Sequence, residues 1–361
     1  MIKIINILIY SLLAILPFGQ LTRLPIPHPN INLYLHDILI SFIIILWLTT
    51  KPKKLPSLAK PIALFISACL ISLILAIPRF QPQQLLVSSL YLIRWTAYAG
   101  LYFVLKDKRI KLPLYRLMVF SSLALAIFGL TQYLLVPDTR FLAAAHWDDH
   151  YYRVIATLGD PAFVGIILLL GLILAITAKF PVWLYPVYLI PLLLTYSRST
   201  YLSLVAAAVA YSFFKRRFKM FVFALLALAI VLTFLPRPGG EGVKLERLAS
   251  ISQRAENYRE GIAIFKKSPI FGVGFNTLRF YRQDQVSHAA AGLDSSLLFI
   301  LATTGLVGLI AYLNLLKNLW RKSIAITISL VALLIHSFFQ NTLFYPWVMI
   351  WFWILLATEY S

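Results

Sequence analysis

The sequence has little cysteine, little negative charge and no polar stretch long enough for a second soluble domain. Its single cysteine, Cys69, excludes an intramolecular disulfide and any cysteine-based metal cluster. Cys69 lies inside an apolar run and reads as a small buried hydrophobe. Asp and Glu number 13 against 33 Lys and Arg, for a formal net charge of +20. Such an excess often marks nucleic-acid binding. Here the cations cluster between apolar runs, as topology signals do, so no nucleic-acid partner is expected. No internal repeat is visible and ionisable residues are not spread through the apolar runs, which argues against a transporter. Gly272–Gly274 lacks the lysine and Ser/Thr of a phosphate loop. His146, Asp148, Asp149 and His150 fit no metal-ligand spacing and read as an ordinary solvated loop.

Apolar sequence is plentiful. Hydrophobic residues make up 60% and charged residues 13%, and the mean hydropathy is +0.82. A soluble chain has about 45–50% apolar and about 25% charged residues. Apolar runs cover about 2–16, 37–50, 61–77, 85–105, 114–136, 161–178, 182–196, 200–214, 220–235, 295–316, 324–340 and 343–358. The expected fold is therefore all-α: a polytopic integral membrane protein with about 12 transmembrane helices, each built from roughly 20 mostly apolar residues. Residues 1–361 form one membrane domain, and the first run is a retained helix because it has a weak basic flank and no clear cleavage site. Alternating the spans puts the clusters starting at Lys51, Lys106, Lys215 and Lys317 on one side, cytoplasmic by the positive-inside rule, with both termini. The other side receives the loop 137–160, the break Ser197–Ser199 and the large loop 236–294. That large loop carries an amphipathic helix over Leu245–Lys267, basic on its polar face, ended by Pro269. It suits a helix on the membrane surface or capping the bundle, with a direct role toward substrate as the alternative.

Ionisable groups near apolar spans are costly and mark candidate sites. Arg94 lies mid-span and either faces a polar cavity or pairs inside the bundle; His36 and Asp37 read as interfacial. Arg153 and Arg198 sit at external span ends, and their permanently charged forks suit phosphate oxygens. Both also fit plain interface or turn-stabilising roles. Asp294 begins a span six residues after His288. Either can take a proton from a sugar hydroxyl, and Asp294 also fits a helix N-cap.

Three local patterns together resemble the bacterial O-antigen ligase and O-antigen polymerase superfamily. Tyr152-Arg153-Val154 leading to Thr157-Leu158-Gly159-Asp160-Pro161 is similar to the family's arginine and T-x-x-N-P turn. Ser197-Arg198-Ser199-Thr200 is similar to its S-R helix start. Arg254, then Pro269-Ile270-Phe271-Gly272-Val273-Gly274, then Asp294 through Thr304-Gly305-Leu306-Val307-Gly308 follow its order of basic helix, glycine turn, polar helix start and T-G-(L/I) turn. The likeness covers about residues 130–315.

It implies a C-type glycosyltransferase-like enzyme of the bacterial inner membrane, acting in lipopolysaccharide or other polysaccharide biosynthesis. Such an enzyme moves a glycan from undecaprenyl diphosphate to a lipid, glycan or protein acceptor on the periplasmic face. The reaction is inverting and uses no cofactor or metal. Ligase and polymerase share this donor site, so polymerisation of capsule, exopolysaccharide or O-antigen stays an alternative; a glycolipid flippase and an inactive scaffold stand further off. The resemblance assigns Arg153, Arg198 and Arg254 to the diphosphate. It leaves Asp294 and His288 as candidate bases. The chain departs from the pattern at Asp294-Ser295, where ligases carry His-Asn, at Thr303 in place of glutamate, and at Asp160 in place of asparagine.

Overall fold

The computed structural model describes the chain apart from residues 27, 29, 52–55, 146, 247–248, 284–291, 321 and 359–361. It is mainly helical: α1 (Ile2–Ile15), α2 (Leu35–Thr49), α3 (Ala59–Leu75), α4 (Pro82–Leu105), α5 (Leu114–Leu135), α6 (Pro161–Thr177), α7 (Leu184–Leu193), α8 (Arg198–Lys215), α9 (Phe218–Phe234), α10 (Ala249–Lys267), the single turn α11 (Leu278–Tyr281), α12 (Ser296–Leu319), α13 (Ile324–Ser337) and α14 (Pro346–Ala357). Between α1 and α2 the proline-rich connector folds into a 3₁₀ turn, Leu16–Thr22, and two short antiparallel strands, β1 (Arg23–Leu24) and β2 (Leu33–Tyr34).

The apolar segments 2–22, 59–79, 114–135 and 296–319 are long enough to cross a membrane, and α2, α6, α7, α13 and α14 are shorter apolar helices. In lipid a segment must satisfy its own backbone polar groups, which favours helices throughout. Two helices are buried nearly all round: α6 from Pro161 to Ala175 apart from Phe163, and α14 from Trp347 onward. An all-round apolar sequence belongs at the centre of a bundle, not on its surface. Their N-terminal ends meet where Phe163 stacks on Tyr345 with ring centroids 3.7 Å apart.

Hydrogen bonds sort the helix ends into two groups. At one end, Val154 donates its N–H to the Leu194 carbonyl at 2.9 Å, the Ser199 hydroxyl meets His336 Nε2 at 3.2 Å, and Leu343 N–H donates to Ser296 Oγ at 3.0 Å. These join the starts of α6, α8, α12 and α14 to the finishes of α7 and α13. At the opposite end Arg109 donates to Thr50 Oγ1 at 2.8 Å, and Lys322 donates to Ser57 Oγ at 3.3 Å. The basic segments after α2, α4 and α12 thus share one end of the bundle.

The large loop is docked by a broken helix. Gly305 interrupts α12 with φ +66 and ψ −164. The freed amides of Leu306 and Val307 donate to the carbonyls of Pro269 and Ile270 at 2.9 and 3.1 Å. In return Val273 and Gly274 donate to the carbonyls of Ala302 and Thr303 at 3.1 and 3.0 Å. The two glycine motifs therefore satisfy each other's backbone, as buried polar groups require. A side chain on Gly305 would collide with the Ile270 carbonyl, and one on Gly272 with the Thr303 carbonyl.

Several expectations change. Leu245 lies in a turn, and the loop helix is described over Ala249–Lys267. Ser295, not Asp294, caps α12: its side chain accepts from Leu298 N–H at 3.4 Å. His36 is buried against Tyr34 and Trp347 instead of sitting at the interface. Asp37 is also internal, paired to Arg94, because a mid-span guanidinium requires a counter-charge.

Candidate active site

The site grows around the turn between α7 and α8. Pro191 sits within α7, and Tyr196 takes a left-handed conformation, φ +49, which turns the chain sharply. Ser197 then caps α8 by accepting from Thr200 N–H at 3.4 Å. This makes Arg198 the first residue of α8. The Ser197 and Ser199 hydroxyls lie 3.0 Å apart, and His336 bridges Ser199 to Thr342 Oγ1 at 2.6 Å on its other nitrogen. The arginine-bearing turn is thereby tied to α13 and to the segment before α14.

Arg153 grips the same turn from the 137–160 loop. Its Nε donates to the Thr195 carbonyl at 2.9 Å and its Nη2 to the Tyr196 carbonyl at 3.5 Å, and the residue is only 9% exposed. Arg198 Nη1 donates to the Leu245 carbonyl at 3.2 Å. The large loop closes over both, with the Tyr196 hydroxyl on the Pro236 carbonyl and Gly242 against the Arg153 stem. Asp160 caps α6 by accepting from Ala162 N–H at 2.6 Å and Phe163 N–H at 3.0 Å. Burial pushes its carboxyl above the ordinary range, while these two bonds and Arg153 act against that rise. Asparagine accepts the same two bonds, so the Asp160 departure preserves the turn.

The other half of the site comes from α10. Arg254, Asn257, Tyr258 and Gly261 follow the i, i+3, i+4, i+7 spacing of one helix face. Arg254 lies 5.9 Å from the Phe339 ring centroid. Asn257 Oδ1 accepts the Asp294 N–H at 2.8 Å, and the Tyr258 hydroxyl donates to the Phe338 carbonyl. Gly261 makes room for Leu298. Glu260 binds Arg282 through both carboxylate oxygens, each at 2.7 Å, and Arg282 donates to the Gly292 carbonyl at 2.8 Å. The Asp294 backbone is therefore fixed from two sides. Burial raises its carboxyl above the ordinary range, partly offset by Arg254 and then Arg282.

Arg254 is the electrostatic hub, within reach of Arg198, Asp294 and His336. Arg198, Arg254 and Asp294 thus share one region, and Arg153 supports its floor. Arg94 lies elsewhere. Its Nε and Nη2 donate to the two oxygens of Asp37 at 2.9 Å each, and Nη2 also meets the Asn32 carbonyl. That selects internal pairing over a cavity role. His288 and His146 lie outside the described residues. Among the described residues no three His, Cys, Asp or Glu cluster as metal ligands do. Sequence reasoning missed Asn257, the Glu260–Arg282 pair and His336. The polar stripe on α10 was open to the same periodicity argument as its apolar face, whereas His336 lies 137 positions from Ser199 and carries no local signal.

Residues 187–313 match the family model described as O-antigen ligase. This stretch, about a third of the chain, is similar to the O-antigen ligase family. A search of curated proteins gives no match. The matched stretch begins within α7 and ends within α12, so it contains Arg198, Arg254 and Asp294 and leaves Arg153 and Asp160 on its N-terminal side. The match, with the apolar helices, indicates a membrane protein and supports a link to O-antigen or other polysaccharide biosynthesis.

Proposed function

We propose that the chain transfers a glycan from undecaprenyl diphosphate to an acceptor hydroxyl at the outer face of the bacterial cytoplasmic membrane. The observation that supports this reading is that Arg254, on the large loop's own helix α10, lies close enough to Arg198 of α8 and to Asp294 for its charge to act on both. Two guanidiniums within electrostatic reach repel each other, and an anion between them relieves that repulsion. A diphosphate matches their forked donors. Asp294, next to that charge, accepts the acceptor's proton. The acceptor oxygen attacks the anomeric carbon from the face opposite the diphosphate. The bond from that carbon to the diphosphate oxygen breaks, and its electron pair leaves on the diphosphate. Arg198 and Arg254 stabilise the charge formed there. Inversion follows from this single displacement, and no step calls on a metal. The same reading sets twelve crossings with both termini cytoplasmic, supported by the basic segments that share the end away from Arg198.

The test is transfer from a purified undecaprenyl-diphosphate-linked glycan by the full chain in detergent. Arg198→Ala and Arg254→Ala should each lower the rate by about 10²–10³-fold, the scale for losing a donor to developing charge. Wild-type rates in both variants, with unchanged thermal unfolding, would overturn the diphosphate role.

A further inference from the structure

A second cavity opens away from the arginine site. It is an apolar groove of about 770 Å³ walled by residues such as Leu172 of α6, Leu189 of α7, Ala208 of α8 and Leu225 of α9. Its lining also reaches Lys179 in the α6–α7 turn and Ser212 in the last turn of α8. The mouth is strongly basic. Between residues 161 and 240 the chain has no Asp or Glu. Its charged residues there are Lys179, Arg198, Lys215, Arg216, Arg217, Lys219 and Arg237, and all but Arg198 and Arg237 lie at or beside the α6–α7 and α8–α9 turns. The basic turn is bonded to the groove wall: Arg216 ends α8 in a left-handed conformation, φ +53, and Arg217 N–H donates to the Ser212 carbonyl at 3.0 Å. Val182, Trp183, Phe213 and Phe218 flank the mouth as exposed apolar side chains, an arrangement typical of a membrane–water interface.

We propose that this groove binds an anionic diacyl phospholipid, with acyl chains between α7 and α9 and its phosphate against Lys179 and the Lys215–Arg217 turn. Charge complementarity selects this occupant, since basic pockets between helices hold acidic headgroups. The donor's diphosphate belongs to the other end of α8. That helix has 18 residues, or about 27 Å at 1.5 Å per residue, so one headgroup cannot occupy both ends.

The full chain, delipidated in neutral detergent, is titrated with phosphatidylglycerol or phosphatidylcholine and read by native mass spectrometry. Phosphatidylglycerol should bind at least about tenfold more tightly. Replacing Lys179, Arg216 and Arg217 together by alanine should erase that preference, at about fivefold per cation. Ala208→Trp, which fills the groove and keeps every cation, should weaken phosphatidylglycerol binding and decides the matter if the triple variant does not elute as a single species. Equal affinity for the two lipids, a preference surviving the triple replacement, or unchanged binding in Ala208→Trp overturns the proposal. Tighter binding of undecaprenyl phosphate than of phosphatidylglycerol does so too, by giving the groove to the donor's tail. Lipid binding is scored without transfer, so the outcome is independent of the proposed catalysis.

Discussion

Asp37 shows how this chain handles charge inside an apolar bundle. Its carboxylate accepts from Arg94, from the Tyr98 hydroxyl at 2.6 Å and from the Tyr34 N–H at 2.9 Å. The side chains of Arg94 and Asp37 are 13% and 10% exposed. Removing one partner leaves a buried charge uncompensated, at about 3–5 kcal/mol, whereas removing both costs less. Asp37→Ala should therefore destabilise the chain more than the Asp37→Leu, Arg94→Leu double variant. Thermal unfolding in detergent tests this, and a double variant less stable than the single would refute it. Asp294 presents the opposite case. Burial raises its carboxyl, so the folded chain holds this proton at pH values where the unfolded chain has released it. Stability contributed by the protonated form is complete below about pH 3.9 and is lost as pH rises through the raised value. Asp294→Asn should then stabilise the chain at neutral pH while removing transfer, and wild-type transfer should show an acid limb centred above pH ~3.9. An acid limb that persists in a still-active Asp294→Asn would assign the base elsewhere. Arg94 was visible in the sequence as a costly charge. Its partner was not, because the pair spans 57 positions and no local pattern joins them.

Among the elements, α12 carries the most consequential irregularity. The glycines of the two turns read in sequence as flexible punctuation, yet each allows one backbone to pass against the other. Their pairing was illegible because it depends on backbone hydrogen bonds between segments distant in sequence, such as Leu306 with Pro269 and Val273 with Ala302. The Ser197 cap and the helical character of the loop were readable, since capping residues and apolar spacing act locally. The choice between Asp294 and Ser295 as cap was not, because adjacent residues of equal capping propensity differ only in their tertiary surroundings. Gly305 sits in a region of backbone space reserved for glycine, where a substitution costs about 1–3 kcal/mol in strain alone. Gly305→Ala should exceed that figure through collision with Ile270. It should also depress transfer, because the docked turn anchors the C-terminal side of α10, which carries Arg254. Gly292→Ala, where a new Cβ meets only ordinary contact with Asn341, should stay within about 0.5 kcal/mol of wild type. Equal unfolding temperatures for the two variants would show that the docked turn contributes little.

At the scale of the whole molecule, basic segments and the arginine site fall at opposite ends of the helix bundle. Of the basic segments expected on one side, those after α4 and α12 both reach the stretch between α2 and α3, through Arg109 with Thr50 and Lys322 with Ser57. The arginine site lies with the opposite helix ends. Span number was less legible than span order. The ten residues of α7 extend only about 15 Å, half of a hydrocarbon core of about 30 Å, so hydropathy marks the segment without fixing how deep it runs. Orientation can be read directly because the single cysteine, Cys69, is buried. In a Cys69→Ser background, Lys244→Cys in the large loop and Lys108→Cys after α4 place a thiol at exposed positions on opposite ends. A membrane-impermeant maleimide added to intact spheroplasts should label Lys244→Cys and spare Lys108→Cys until the membrane is opened. Labelling of Lys108→Cys in intact spheroplasts would invert the bundle and place the arginine site in the cytoplasm, where no acceptor on the outer face can reach it.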